Sequence, residues 1–233
     1  MTGVVVDAAP AWGVWTLLTL AALAAAADWY LSTKPTTWLR WMSKGAVPAL
    51  LVVAVALYSV SGNKPSWAAV AATGALALCL LGDLLLLDDK RFISGGVAFA
   101  AAHVLFIGAL LLDAYGEGWP AGPGVFVALG IVAVGTMTWA RRVVSATEPA
   151  GMKVMTGSYL ALLSLVIIAA GIDSGAPGGW LALAGAVSFY VSDLLLTSRR
   201  ARALDAIAAG DGPWVMITYH LALFCLAGWA LMA

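Results

Sequence analysis

Asp83 and Asp193 stand in matching phrases, Leu81-Gly82-Asp83-Leu84-Leu85-Leu86 and Val191-Ser192-Asp193-Leu194-Leu195-Leu196, each inside a long apolar run. An acid at the centre of a bilayer costs at least about 2.5 kcal/mol, so one retained there is a functional candidate by default. Two of them in similar contexts suggest a carboxyl pair. Such pairs divide acid and base roles when burial and mutual repulsion separate their proton affinities.

The elements that must position these acids are transmembrane helices. The chain has 233 residues, of which 63% are hydrophobic and 10% charged, with no net charge. A soluble domain carries roughly 25% charged residues, so the composition specifies a single all-α membrane domain over residues 1–233. It also argues against nucleic acid as a partner, because no basic patch is present. Cys79 and Cys225 both lie in apolar stretches rather than in a disulfide framework. The segment Met1 to Pro10 lacks Lys and Arg, so the first helix is expected to remain uncleaved. Eight apolar segments approach the roughly 20 residues that a spanning helix needs: about 11–32, 43–60, 66–87, 93–113, 121–140, 153–172, 178–197 and 213–232. The longer connection 198–212 carries Arg199, Arg200, Arg202, Leu204 and Ile207, the pattern of a short interfacial helix.

Connections 1–2, 3–4, 5–6 and 7–8, with their helix ends, hold eleven of the twelve Lys and Arg residues; Lys64 alone lies on the other side. Cationic loops stay in the cytosol, so eight helices with both termini extracytoplasmic are expected. On that topology each aspartate lies about five residues from a cytosolic helix end, roughly 7–8 Å inside the boundary. Asp28, Lys44, Tyr159, Ser192, Tyr219 and His220 fall at comparable depth, with His103 nearer mid-membrane. They are the candidates to bind or orient a substrate. The outer halves are expected to hold almost nothing ionisable, so the polar groups define a pocket facing the cytosol.

Each residue also has a plainer reading. Asp28 could pair with Lys44, Lys44 could snorkel to the interface, and the tyrosines could belong to an interfacial aromatic belt. His103 could be a hydrogen-bonded structural residue, and the aspartates could bond neighbouring helices together. Catalytic zinc takes three protein ligands. A site from His103, His220 and an aspartate can be drawn, but there is no H-E-x-x-H motif, and neither metal nor cofactor is expected. No G-x-S-x-G or phosphate-loop motif occurs. The last two helices lack a lysine for a retinal Schiff base. A proton-coupled transporter remains the alternative, since intramembrane Asp and His also mark proton relays, and the two aspartate phrases, 110 residues apart, could mark a four-plus-four repeat.

The chain resembles the YhhN family of integral membrane lysoplasmalogenases. The likeness runs from Gly82-Asp83 through Phe92, Gly95, Phe99 and His103, resumes at Gly185-Ala186, Phe189 and Ser192-Asp193, and ends near Tyr219. Lys44 and Tyr159 also match in position, while Phe106, Ser188 and Leu223 depart from the pattern. The resemblance implies hydrolysis of the vinyl ether bond of a lysoplasmalogen, with Asp83 and Asp193 as the catalytic pair and a membrane lipid as substrate. An Ala-, Gly- and Trp-rich composition suggests a bacterial cytoplasmic membrane. Oligomeric state is left open.

The charge distribution generates a direct test. A periplasm-active reporter fused after Ala233 should be active and a cytosol-active one silent; the reverse result would overturn the topology.

Overall fold

A computed structural model describes residues 8–35, 37–61, 66–116, 118, 121–201 and 213–233. Eight long helices, and no strand, occur among the described residues. They are α1 (Ala8–Leu31), α2 (Trp38–Ser61), α3 (Trp67–Leu85), α4 (Phe92–Gly116), α5 (Gly124–Ala146), α6 (Ala150–Asp173), α7 (Gly179–Ala201) and α8 (Trp214–Ala230). Seven of them are long and apolar enough to cross a membrane, and the chain is a helical multi-pass membrane protein. The expected eighth span is the exception: α8 has 17 residues, about 25 Å at 1.5 Å per residue, against a hydrocarbon layer of about 30 Å.

The packing makes that length intelligible. Consecutive helices pair along the chain except α4 and α5, α4 packing on α6 instead, and α8 also touches α1, α2 and α3 besides α7. Most of its side chains are buried, including Leu223, Leu226 and Trp229. A helix enclosed by other helices need not match the bilayer thickness, since protein rather than lipid covers it. By contrast α1 and α5 lie at the periphery and present Trp12, Leu23, Phe126 and Met137 outward. Exposed tryptophans mark helix ends at Trp38, Trp67, Trp180 and Trp214, the level at which indoles gather in membranes.

Helix boundaries exceed the apolar segments where the flanks are basic. α2 starts at Trp38 rather than 43, α5 runs to Ala146 rather than 140, and α7 runs to Ala201 rather than 197. Lys and Arg are good helix formers, and their long stems let a helix continue past the hydrocarbon edge. Arg199 and Arg200 thus belong to the last turn of α7; the rest of the interfacial segment, 202–212, lies outside the described residues. α5 contains a π turn at Thr136–Ala140, within one continuous rod.

Small residues allow the close approaches that carry the site. A Cβ on Gly82 of α3 would stand 2.6 Å from the Phe99 ring of α4, so the bare backbone is what lets that ring lie beside Asp83. Gly185 of α7 meets Leu226 and Cys225 of α8 at 2.9 and 3.0 Å in the same sense. Association between helices in lipid rests on such packing, because lipid tails are as apolar as leucine. Gly185→Val should therefore destabilise the protein by about 1–3 kcal/mol, as overpacking does, measured by unfolding in mild detergent. Unchanged stability would mean the α7–α8 contact is slack.

Candidate functional site

Lys44 sits in the second turn of α2, four residues before Pro48. Proline has no N–H, so the bond that the Lys44 carbonyl would receive is missing. The Lys44 side chain turns inward. It is 7% exposed, which excludes snorkelling, and its Nζ lies 3.3 Å from Asp83 Oδ1. The other oxygen of Asp83 accepts a hydrogen bond from the Tyr219 hydroxyl of α8 at 2.6 Å. One carboxylate thus ties α2, α3 and α8 together.

Asp193 has a different setting. The Tyr159 hydroxyl of α6 donates to its Oδ2 at 2.5 Å, and among the described residues no Lys or Arg stands within ion-pair distance. Both tyrosines are therefore carboxyl partners rather than belt residues. The two acids lie near enough for their charges to act on each other, although α3 ends two residues after Asp83 and α7 eight after Asp193. Helix ends are poor depth gauges here, and the shared cavity is the better measure.

That cavity encloses about 480 Å³ and is lined by Lys44, Asp83, Ser192, Asp193 and Tyr219, together with Arg40, Arg199 and Arg200. Phe99 and Tyr219 line it, and Phe189 packs behind them, the three rings meeting edge to face at 5.5–6.0 Å, the favoured geometry for such pairs. A second, apolar cavity of about 260 Å³ lies between α4, α6 and α7, and shares Leu86, Phe92, Phe99, Asp193 and Leu196 with the first. Asp193 borders both; Asp83 borders only the polar one.

The remaining candidates support the walls. His103 is buried and meets the Phe189 ring at 4.5 Å and the Tyr159 ring at 5.7 Å, with the Phe99 carbonyl one turn back as a polar neighbour. Ser192 donates to the Val215 carbonyl at 3.0 Å, fastening α7 to α8. Asp28 and His220 line neither cavity. Asp28 accepts from Ser43 at 3.1 Å rather than pairing directly with Lys44, and His220 Nδ1 accepts from the Trp29 indole at 2.9 Å. No cluster of three metal-ligating side chains occurs among the described residues.

Two features escape the sequence reading. Arg40, Arg199 and Arg200 enter it only as topology markers, yet they line the cavity. The end of the bundle away from the site is also not free of acids. Asp113 of α4 and Asp173 of α6 are buried, the one against the other, with the Trp229 indole donating to Asp113 at 3.3 Å. Both close their apolar segments, so sequence alone leaves them looking like solvated helix ends.

A family model described as the YhhN family matches residues 39–229. No curated protein and no solved structure matches the chain.

Removing one partner of a buried ion pair leaves an uncompensated charge, at a cost of about 3–5 kcal/mol. Lys44→Met should destabilise the fold by that order, and adding Asp83→Asn should restore much of the loss. A double-mutant cycle on unfolding in detergent checks it. Additive effects would mean that the pair is not coupled.

Proposed function

The chain belongs to the YhhN family, and on that premise we propose that it is a membrane-embedded hydrolase cleaving the vinyl ether bond of lysoplasmalogen-type lipids. The products are a fatty aldehyde and a glycerophospho-alcohol, and the setting is the cytoplasmic membrane of a bacterium. The observation that carries the reading is the pair of unlike carboxyls in one cavity: Asp83 compensated by Lys44, and Asp193 bonded by a neutral phenol at the mouth of an apolar channel. We assign the roles from their neighbours.

A vinyl ether is hydrolysed through protonation of its β-carbon, the carbon on the chain side of the double bond. Asp193 faces the apolar cavity and supplies that proton. The resulting oxocarbenium ion carries its charge on the carbon and oxygen nearer the polar cavity. There Asp83, its charge held in place by Lys44 and Tyr219, stabilises the cation and takes a proton from the attacking water. In the hemiacetal, Asp83 returns its proton to the departing oxygen while the hydroxyl proton passes to Asp193. The C–O bond breaks, aldehyde and alcohol leave, and both acids regain their starting states. The division of labour parallels the two-carboxyl chemistry of glycoside hydrolysis, which also passes through an oxocarbenium-like state. In this reading α8 also reaches across the membrane, and both termini are extracytoplasmic.

A proton-coupled transporter is the second reading, favoured by the buried Asp113 and Asp173 in the outer half. Between them and the site lie the apolar side chains of Phe106, Leu110, Leu163 and Leu226. Along α4 the ten residues from His103 to Asp113 span about 15 Å, a long gap for a relay.

The test is aldehyde release by purified protein from a lysoplasmenyl lipid. Asp83→Asn and Asp193→Asn should each lower turnover per folded molecule by about 10²–10⁴-fold, as loss of an acid–base group does; Asp193→Asn should keep its stability, while Asp83→Asn, which strands the Lys44 charge, should also lose some. Activity should survive exhaustive chelation. Retention of more than about a tenth of turnover in either variant would sink the dyad. Substrate-dependent acidification of proteoliposomes without aldehyde would favour transport.

A further inference from the structure

The two cavities differ in chemistry, and of the residues they share only Asp193 is ionisable. The polar one is lined by Arg40, Lys44, Arg199 and Arg200 together with Asp83 and Asp193. The apolar one is bounded by Gly96, Ala100, Met155 and Leu162, with Val97 and Ser158 at its rim. Val97 is 61% exposed, so that rim faces the lipid between α4 and α6. At about 260 Å³ the channel falls just below the roughly 300–1,000 Å³ of ordinary ligand pockets. It has room for a stretch of one hydrocarbon chain and not for two side by side.

We infer that the α4–α6 opening is the chain port of the enzyme: a single lipid chain threads past Gly96, while the phosphate of the same molecule is held by Arg40, Lys44 and Arg199. The assignment rests on the hydrolase reading for its chemistry, but not for its geometry. Guanidinium groups suit phosphate because they offer planar pairs of donors. The chain gains little from entering an apolar channel, since the bilayer it leaves is equally apolar. Affinity therefore comes from the phosphate end, and the channel selects by shape alone.

Gly96 makes this testable without disturbing the fold. A Cβ built there meets nothing within 4 Å, so a larger side chain can grow into the channel. The probes are hexadecyl-glycerophosphocholine, whose alkyl ether has no double bond to protonate, and the chainless glycerophosphocholine. Binding is measured on detergent-solubilised protein. Gly96→Phe should weaken the hexadecyl probe about tenfold or more, a change of one decade in Kd, and leave the chainless probe unaffected. Arg40→Gln and Arg199→Gln should each weaken both probes by about ten- to a hundredfold, as expected for charge-assisted bonds. Hexadecyl binding within about twofold of wild type in Gly96→Phe overturns the port, as does wild-type protein that binds neither probe. Binding that follows the expected pattern, without aldehyde release from the vinyl ether analogue, upholds the port and sinks the hydrolase.

Discussion

Everything at the site end of this bundle depends on one buried ion pair, Lys44 with Asp83. In a low-dielectric interior an isolated charge costs several kcal/mol, so neither residue could keep its place without the other. Lys44 comes from α2, Asp83 from α3, and Tyr219 on the second carboxylate oxygen comes from α8. The pair therefore sets how these helices meet. The same logic recurs where Tyr159 ties α6 to Asp193 of α7, and where Trp229 ties α8 to Asp113 of α4. In lipid, where burial gives helices no reason to associate, such bonds and the glycine contacts define the fold together.

The inequality of the two aspartates follows from which helix supplies a cation. Asp83 and Asp193 stand in similar phrases, yet Lys44 lies against the first, while the second has a phenol and an apolar channel beside it. On the proposed function, a lipid entering sideways would meet the two in a fixed order, chain past Asp193 and polar end past Asp83. Pre-set charge of this kind, aimed at where charge develops in a reaction, is the largest contribution many enzyme sites make. Phe99 and Phe189 help to keep it effective by packing apolar rings against the wall of the cavity.

Much of this was legible in the residues themselves. Hydropathy alone located all eight helices, because lipid demands long apolar runs and leaves few alternatives. The aspartates stood out for the same reason. What failed was whatever depends on neighbours distant in sequence. Arg40 and Arg199 read as topology signals because a cation near a helix end has an ordinary explanation in membranes; only packing turns them into a cavity wall. Asp113 and Asp173 ended their segments and looked solvated, but α8 brings Trp229 over them. Asp28 and His220 were legible as buried polar groups, whereas their partners, Ser43 and Trp29, were not. A window that averages hydropathy also cannot tell a helix covered by protein from one covered by lipid, and so α8 looked longer than it is.

The enclosure of α8 bears on what the bundle can do. A helix held by α1, α2, α3 and α7, with Tyr219 fixed to Asp83 at one end and Trp229 to Asp113 at the other, cannot tilt without breaking a buried bond. Alternating access needs one group of helices to rock against another around the site. Here the helix at the centre is pinned near both ends to different partners, and rocking would strand a buried acid at one of them. A hydrolase asks for no such motion, only for a rigid cavity and a side door. On the proposed function the apolar gap between α4 and α6 is that door, and the pinned helices need not move.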